Sequence, residues 1–257
     1  MDNIFLAIIG ILVGIFGTIA GIGGGIFISP FLFLLYKLSP QIVIGTSLFV
    51  VCCNAVSGSI AYAIKKRVNY ALGWRFALMT IPGAVFGSYL SKVFDAFTFK
   101  IVFGILLVVI SIYFIIRTFI DKNGSPECSM ENIVFSSRQM LPVYFISFGI
   151  GILSSFLGIG GGIIHVPALI YILKIPVHCA TATSHFILAF TAISGVISHY
   201  SLGNINFAYG LSLGLGAIIG AQIGAGISQK LKTRIIIIVL MIALLCTGVG
   251  LLIIKIS

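Results

Sequence analysis

The chain has 257 residues, of which 60% are hydrophobic and only 8% charged. A soluble domain of that length carries about 25% Asp, Glu, Lys and Arg, so a water-soluble globule is excluded and a polytopic membrane protein is indicated. The net charge of +10 does not point to nucleic acid, because the Lys and Arg residues punctuate apolar runs, where they orient the chain and meet anionic lipid.

In chain order, apolar segments lie at about 4–20, 24–37, 41–64, 70–92 and 98–118. The polar stretch DKNGSPECSMENIVFSSRQ follows, from Asp121 to Gln139, and then segments at about 140–157, 162–174, 176–200, 206–228 and 233–254. All read as helices, because a bilayer admits helices or closed barrels and these runs are too long for barrel strands. The expected organisation is a first transmembrane repeat at 1–120, a cytoplasmic linker at 121–139 and a second repeat at 140–257. The five cysteines form no CxxC pair and read as small buried side chains.

The two halves share residues as well as pattern. A shift of 137 lays Gly21-Ile22-Gly23-Gly24-Gly25-Ile26 on Gly158-Ile159-Gly160-Gly161-Gly162-Ile163, and Pro30 on Pro167. The same shift pairs Thr46-Ser47 with Thr183-Ser184, Ser57-Gly58 with Ser194-Gly195, and Asn69 with Asn206. This is an internal duplication.

Charge sets the orientation of the halves. If the first two segments of each half were one helix, Lys and Arg would divide eight to seven across the membrane. If the glycines reverse the chain, each half crosses an odd number of times. Lys65, Lys66, Arg67, Arg75, Arg117, Lys122, Arg138, Lys174, Lys230, Lys232 and Arg234 then share one side, against Lys37, Lys92, Lys100 and Lys255 on the other. Eleven against four is the asymmetry of the positive-inside rule. The expectation is therefore two inverted-topology repeats of about five helical segments, with both termini extracytoplasmic and the linker cytoplasmic.

The second segment of each half, about 14 residues, reaches about 21 Å and does not span the core. Helices starting at Gly25 and Gly162 would begin near the midplane and aim free N–H groups inward, at a site suited to an anion. The competing reading is that the glycines serve helix packing, as Gly10-x-x-x-Gly14 and Gly83-x-x-x-Gly87 suggest for themselves. The five acidic residues, Asp2, Asp95, Asp121, Glu127 and Glu131, all lie at a terminus, a loop or the linker. No carboxylate at membrane depth is available for a metal or a transported cation.

The candidate substrate-binding set is Gly23, Gly24, Gly25, Thr46, Ser47, Asn54, Gly160, Gly161, Gly162, Thr183, Ser184 and His185. The hydroxyls can donate to an oxyanion or bond their own i−4 carbonyls. The Asn54 amide at mid-segment needs a partner, in a site or between helices. His165 and His185 are candidates for proton coupling, against a neutral role inside the bundle. Their first-repeat counterparts are Ile28 and Leu48. No nucleotide-binding or catalytic motif is present, so neither an enzyme nor a cofactor is expected.

Two copies of G-x-G-G-G-x-x-x-x-P-x-L, each followed by a T-S pair and then S-G, resemble the sulfite exporter TauE/SafE family of membrane permeases. The resemblance implies secondary transport of a small sulfur-containing anion such as sulfite, thiosulfate or sulfoacetate, in a prokaryotic inner membrane. The expected partners are that anion and the bilayer, with no nucleic acid, and the architecture is compatible with a homo-oligomer. The alternatives are a non-transporting membrane scaffold or accessory subunit, and an anion channel.

Overall fold

A computed structural model describes residues 2–93, 95–120, 137–173, 175–228 and 233–253. Ten helices form among them: α1 (Asp2–Ala20), α2 (Gly25–Leu35), α3 (Pro40–Ile64), α4 (Tyr70–Leu90), α5 (Ala96–Ile120), α6 (Ser137–Leu157), α7 (Gly162–Pro167), α8 (Val177–Ser201), α9 (Phe207–Ile227) and α10 (Thr233–Ile253). A 3-10 turn (Ser91–Val93) follows α4, and a π-helical turn (Ala168–Ile172) extends α7. Every start from α2 to α5 recurs 137 residues later in α7 to α10, the same offset that aligns the two halves in sequence. The expected linker lies outside the described residues except for 137–139, which already belong to α6.

Six of these helices are long and apolar enough to cross a membrane. Their outer faces carry large apolar side chains such as Ile8, Leu12 and Phe16 on α1, and Ile219 and Ile223 on α9. A face of that size is tolerable only against lipid. The chain is an all-α polytopic membrane protein.

The halves interlock. α1 packs on α9 of the other half, and α6 packs on α4 in the equivalent way; α3 packs on α8, and α5 on α10. The two equivalent pairs run antiparallel. In α3 and α8, a Cβ on Gly58 would meet His185, and one on Gly195 would meet Leu48. In α5 and α10, Gly104 faces Leu252 while Gly248 faces Leu107. α1 and α9 run parallel with their backbones touching, since a Cβ on Gly216 would lie 2.1 Å from the Ala7 carbonyl oxygen and one on Gly220 2.2 Å from that of Ile11. The α4–α6 pair repeats this, with Gly83 and Gly87 on Phe148 and Ile152. In lipid, close backbone approach substitutes for the hydrophobic drive that holds helices together in water.

Helix starts follow from local chemistry. Asn69 and Asn206 cap α4 and α9 by accepting N–H bonds from Leu72 and from Ala208 and Tyr209. α2 is 11 residues long, about 17 Å. Its Phe31 meets Phe5 near the start of α1, while Gly24 at its origin abuts Gly17 near the end of α1, so the chain doubles back between them. Cys52, Cys53 and Cys246 are free. Cys179 is disulfide-bonded, which corrects its reading as a simple buried thiol.

The packing assigns different weights to different glycines. Gly220→Val should lower the thermal midpoint of the purified protein by several degrees, because overpacking of about 1–3 kcal/mol has only main chain to push against. Gly226→Ala, with nothing within 4 Å of its added methyl, should leave the midpoint unchanged or slightly raised. Equal behaviour of the two variants in detergent melts would contradict the α1–α9 contact.

Candidate functional site

The site forms where the two breaks cross. Gly21, Gly23 and Gly24 have φ of 74°, 84° and 86°, and Gly158 and Gly160 have 68° and 79°. Neither stretch is helical, and they touch. A Cβ on Gly25 would lie 2.5 Å from the Gly158 carbonyl oxygen and 2.6 Å from that of Ile159. One on Gly162 would lie 2.1 Å from the Gly21 carbonyl oxygen. The origin of α2 thus rests on the second break and the origin of α7 on the first. The side chains of Val51 from α3 and Leu188 from α8 close over Gly23 and Gly160.

Polar side chains from α3 and α8 then satisfy the exposed carbonyls. Ser47 Oγ lies 2.8 Å from the Gly158 oxygen and 3.1 Å from the Gly25 oxygen, and Ser29 Oγ is 3.3 Å from the Gly158 oxygen. Ser184 Oγ donates to the Gly21 oxygen at 3.1 Å, the equivalent bond in the other half. Asn54 donates from Nδ2 to the Gly23 oxygen (3.0 Å), and its Oδ1 accepts from the Thr18 hydroxyl (2.6 Å). Thr46 Oγ1 accepts from the Asn206 N–H (2.9 Å) and Thr183 Oγ1 from the Asn69 N–H (3.0 Å), which pins each α3–α4-type turn to the other half.

The structure therefore brings Gly23, Gly24, Gly25, Gly160, Gly161, Gly162, Ser47, Ser184 and Asn54 into one crossing. Ser47, Ser184 and Asn54 are engaged there on main-chain oxygens, neither holding an i−4 carbonyl nor standing free. Thr46 and Thr183 point to the turns instead. At the origin of α2 the Phe27 N–H already bonds the Gly24 oxygen at 3.0 Å, so only the Gly25 and Ile26 N–H groups are left without an intrahelical acceptor.

The breaks are unequal. Gly24 is left-handed, but its counterpart Gly161 has φ −67°. The cause lies one turn back in the preceding helix. A Cβ on Gly17 would sit 2.6 Å from the Gly24 nitrogen. The equivalent residue is Ser154, which has a Cβ, so the second break cannot close as tightly. A small, mainly apolar cavity of about 10 Å³, no larger than one water, lies there, lined by Leu106, Ile150, Ser154, Gly160, Gly161 and Ile164 among others. Ser154 Oγ is buried and unpartnered. Sequence reading missed Ser154, although its lack of duplication against Gly17 was visible.

Three histidines are buried, two of them with a hydrogen-bond partner. His199 donates from Nε2 to the Ser155 oxygen (2.9 Å), replacing the bond of its counterpart Tyr62 to the Thr18 oxygen (2.9 Å). His165 donates from Nδ1 to the Gly161 oxygen (3.1 Å) and leaves Nε2 buried without a partner. His185 has neither ring nitrogen bonded; it lies against Gly58 and is edge-on to Tyr62 at 5.8 Å. Buried polar atoms without partners are exceptions that need a reason.

A family model described as sulfite exporter TauE/SafE matches residues 6–251. A probable membrane transporter protein of Bacillus subtilis, YunE, is 34% identical over 270 residues, covering 96% of each chain. A probable membrane transporter protein of Methanocaldococcus jannaschii is 31% identical over 214 residues, 80% of this chain and 75% of the relative. No solved structure matches significantly.

The polar ties at the crossing make a direct prediction. Asn54→Leu orphans the Gly23 oxygen and the Thr18 hydroxyl, each at about 1–3 kcal/mol. Thermal unfolding in detergent should show a larger loss than for Gln222→Leu, whose amide bonds Ser57 from a part-buried position.

Proposed function

The chain belongs to the sulfite exporter TauE/SafE family, and on that premise we propose that it is a secondary transporter of small sulfur-containing anions such as sulfite, thiosulfate or sulfoacetate. The observation that carries this reading is the crossing itself. Two interruptions touch between the halves, two helices originate from them, and a small cavity beside the second holds an unpartnered hydroxyl. Helix-origin amides hold anions without a countercharge. Asp2 and Asp95, the carboxylates among the described residues, both lie outside the candidate membrane spans.

The antiparallel course of the equivalent helices supports inverted repeats, with access alternating as the repeats move. It also supports the charge-based orientation. Lys65 binds the Ala225 oxygen at the end of α9, so Lys65, Lys66, Arg67 and Arg75 share an end with it. Phe33 meets Phe99 (5.2 Å) and Tyr36 meets Tyr209 (4.6 Å), which gathers Lys37 and Lys100 at the opposite end. On the positive-inside rule the first end faces the cytoplasm of a prokaryotic cell and both termini lie outside. The substrate is then an anion moving along an inside-negative potential worth about 2.3 kcal/mol per charge per 100 mV.

His165 and His185 are assigned to proton coupling. A buried imidazole takes up a proton at low cost only if an anion accompanies it, which ties the two movements together.

Proteoliposomes with imposed potentials test the whole reading: saturable sulfite flux with counterflow is expected. The absence of flux for any small oxyanion leaves a scaffold, and flux without saturation or counterflow leaves a channel. Gly24→Ala should lose most of this flux while still assembling, because the added methyl meets Val13 at 2.5 Å from a φ of 86°. Gly161→Ala, at an ordinary φ, should be milder. His185→Leu installs the residue that the first repeat uses at the same place, Leu48, and should keep the fold while flattening the pH dependence of flux. An unchanged pH profile would remove His185 from the coupling.

A further inference from the structure

We propose that Arg67 is an oxyanion-docking residue at the α3–α4 end of the protein; the identification of its ligand as the transported solute rests on the transport reading above. Lys, Lys and Arg in a row after a membrane helix ordinarily spread into the headgroups. Arg67 does not. Its Nη1 is buried and has no hydrogen-bond partner.

The turn holds it there. The Arg67 N–H bonds back to the Tyr62 oxygen at 3.2 Å, and Lys66 takes a φ of 54° to allow it. Val68 is buried with Ala61 and Tyr62 against Ala182 of α8 and Ala225 of α9. The Asn69 N–H bonds Thr183 Oγ1. Anchored on both sides, Arg67 is half-buried at this turn with its Nη1 shielded from solvent.

Among the described residues, its charged and titratable neighbours supply no anion. Lys65, on α3, is committed to the Ala225 oxygen, and burial followed by the Arg67 charge lowers its pKa. The same charge reaches Tyr62 of α3 and His178 of α8. Among the described residues, the carboxylate of Asp95 is spent on the Thr98 N–H at the opposite end. A buried guanidinium N–H without an acceptor is costly, and the planar fork matches an oxyanion.

The duplication provides an internal control. The position equivalent to Arg67 is Asn204, and those equivalent to Lys65, Lys66 and His178 are Leu202, Gly203 and Gln41. Asn204 bonds His199 Nδ1 at 3.4 Å and packs its main chain on Gly45. The same turn, made twice, is neutral and closed at one end and cationic with an open donor at the other. Packing therefore does not require the charge.

The shared ligand chemistry is a small oxyanion on a guanidinium, supplied by free sulfite or by a lipid phosphate. The test uses the full chain in nanodiscs of phosphatidylcholine alone or with phosphatidylglycerol, and in phosphatidylcholine proteoliposomes. With sulfite as the probe in pure phosphatidylcholine, wild type should gain thermal stability and Arg67→Gln should not. The sulfite KM should rise about tenfold or more in Arg67→Gln, the size that a charge-assisted hydrogen bond carries, with a smaller change in maximal rate. Arg67→Lys should recover part of this, and Lys66→Gln should match wild type. Stabilisation by phosphatidylglycerol alone, again lost in Arg67→Gln, identifies the headgroup as the source. Identical responses of wild type and a folded Arg67→Gln to both sulfite and phosphatidylglycerol overturn the proposal. Wild type without flux but with Arg67-dependent stabilisation would instead fail the transport reading and leave the docking site standing.

Discussion

Everything in this structure depends on main chain meeting main chain at the crossing. A bilayer core offers no water, so an interrupted helix there must find partners for its carbonyls within the protein. Each interruption finds one of them in the opposite half: Gly158 receives Ser47, and Gly21 receives Ser184, while Gly23 is served by Asn54 of its own half. Glycine is needed for the approach as well as for the turn, because any Cβ on Gly25 or Gly162 would penetrate the other break. The two halves cannot satisfy themselves separately. Duplication here makes one interlocked unit from two insufficient ones.

That dependence explains which features were legible in the sequence. The helices are short of nothing that periodicity and length supply, and the offset of 137 carries through every element from α2 to α5. The contiguous glycines announced the breaks because GGG is poor helix sequence. Thr46-Ser47 and Thr183-Ser184 stood out because they are duplicated, yet their role did not follow. A hydroxyl on a helix reads as a donor to ligand or to its own i−4 carbonyl, and only the three-dimensional crossing shows that Ser47 serves the opposite break and Thr46 the opposite turn. Asn54 was identifiable as needing a partner, but Thr18 and Gly23 were not nameable in advance. Arg67 was hidden in a run of three cations whose ordinary explanation was sufficient.

The chemistry that departs from two-fold symmetry collects on particular positions. Ser154 replaces Gly17, His185 replaces Leu48, and Arg67 faces Asn204 across the duplication. Each substitution places a polar group with an unmet hydrogen bond where the other repeat has a packed or satisfied one: Ser154 Oγ, both His185 nitrogens and Arg67 Nη1 are all buried and unpartnered. His199 shows that a histidine need not belong to this set, since it reproduces the Tyr62 bond and keeps the symmetry. Under the transport reading, departure from the repeat combined with an orphaned atom nominates positions for ligand contact, a set that also includes Ser59, Ser147 and Ser155.

The same asymmetry limits how the protein can move. In a perfectly duplicated transporter, the two end states are images of each other, reached when the halves exchange conformations. Under the transport reading proposed above, that exchange meets a local obstacle at the second break. For the second break to take the geometry of the first, the Gly161 nitrogen would have to approach position 154 as the Gly24 nitrogen approaches position 17, 2.6 Å from where a Cβ would stand. Ser154 carries that Cβ. The small cavity at the second break is thus lined by a side chain that has no counterpart in the first. The parallel pairs α1–α9 and α4–α6, each held by a strip of backbone contact, tie one half to the other on both sides of the crossing, so the alternating access proposed above has to leave these strips intact.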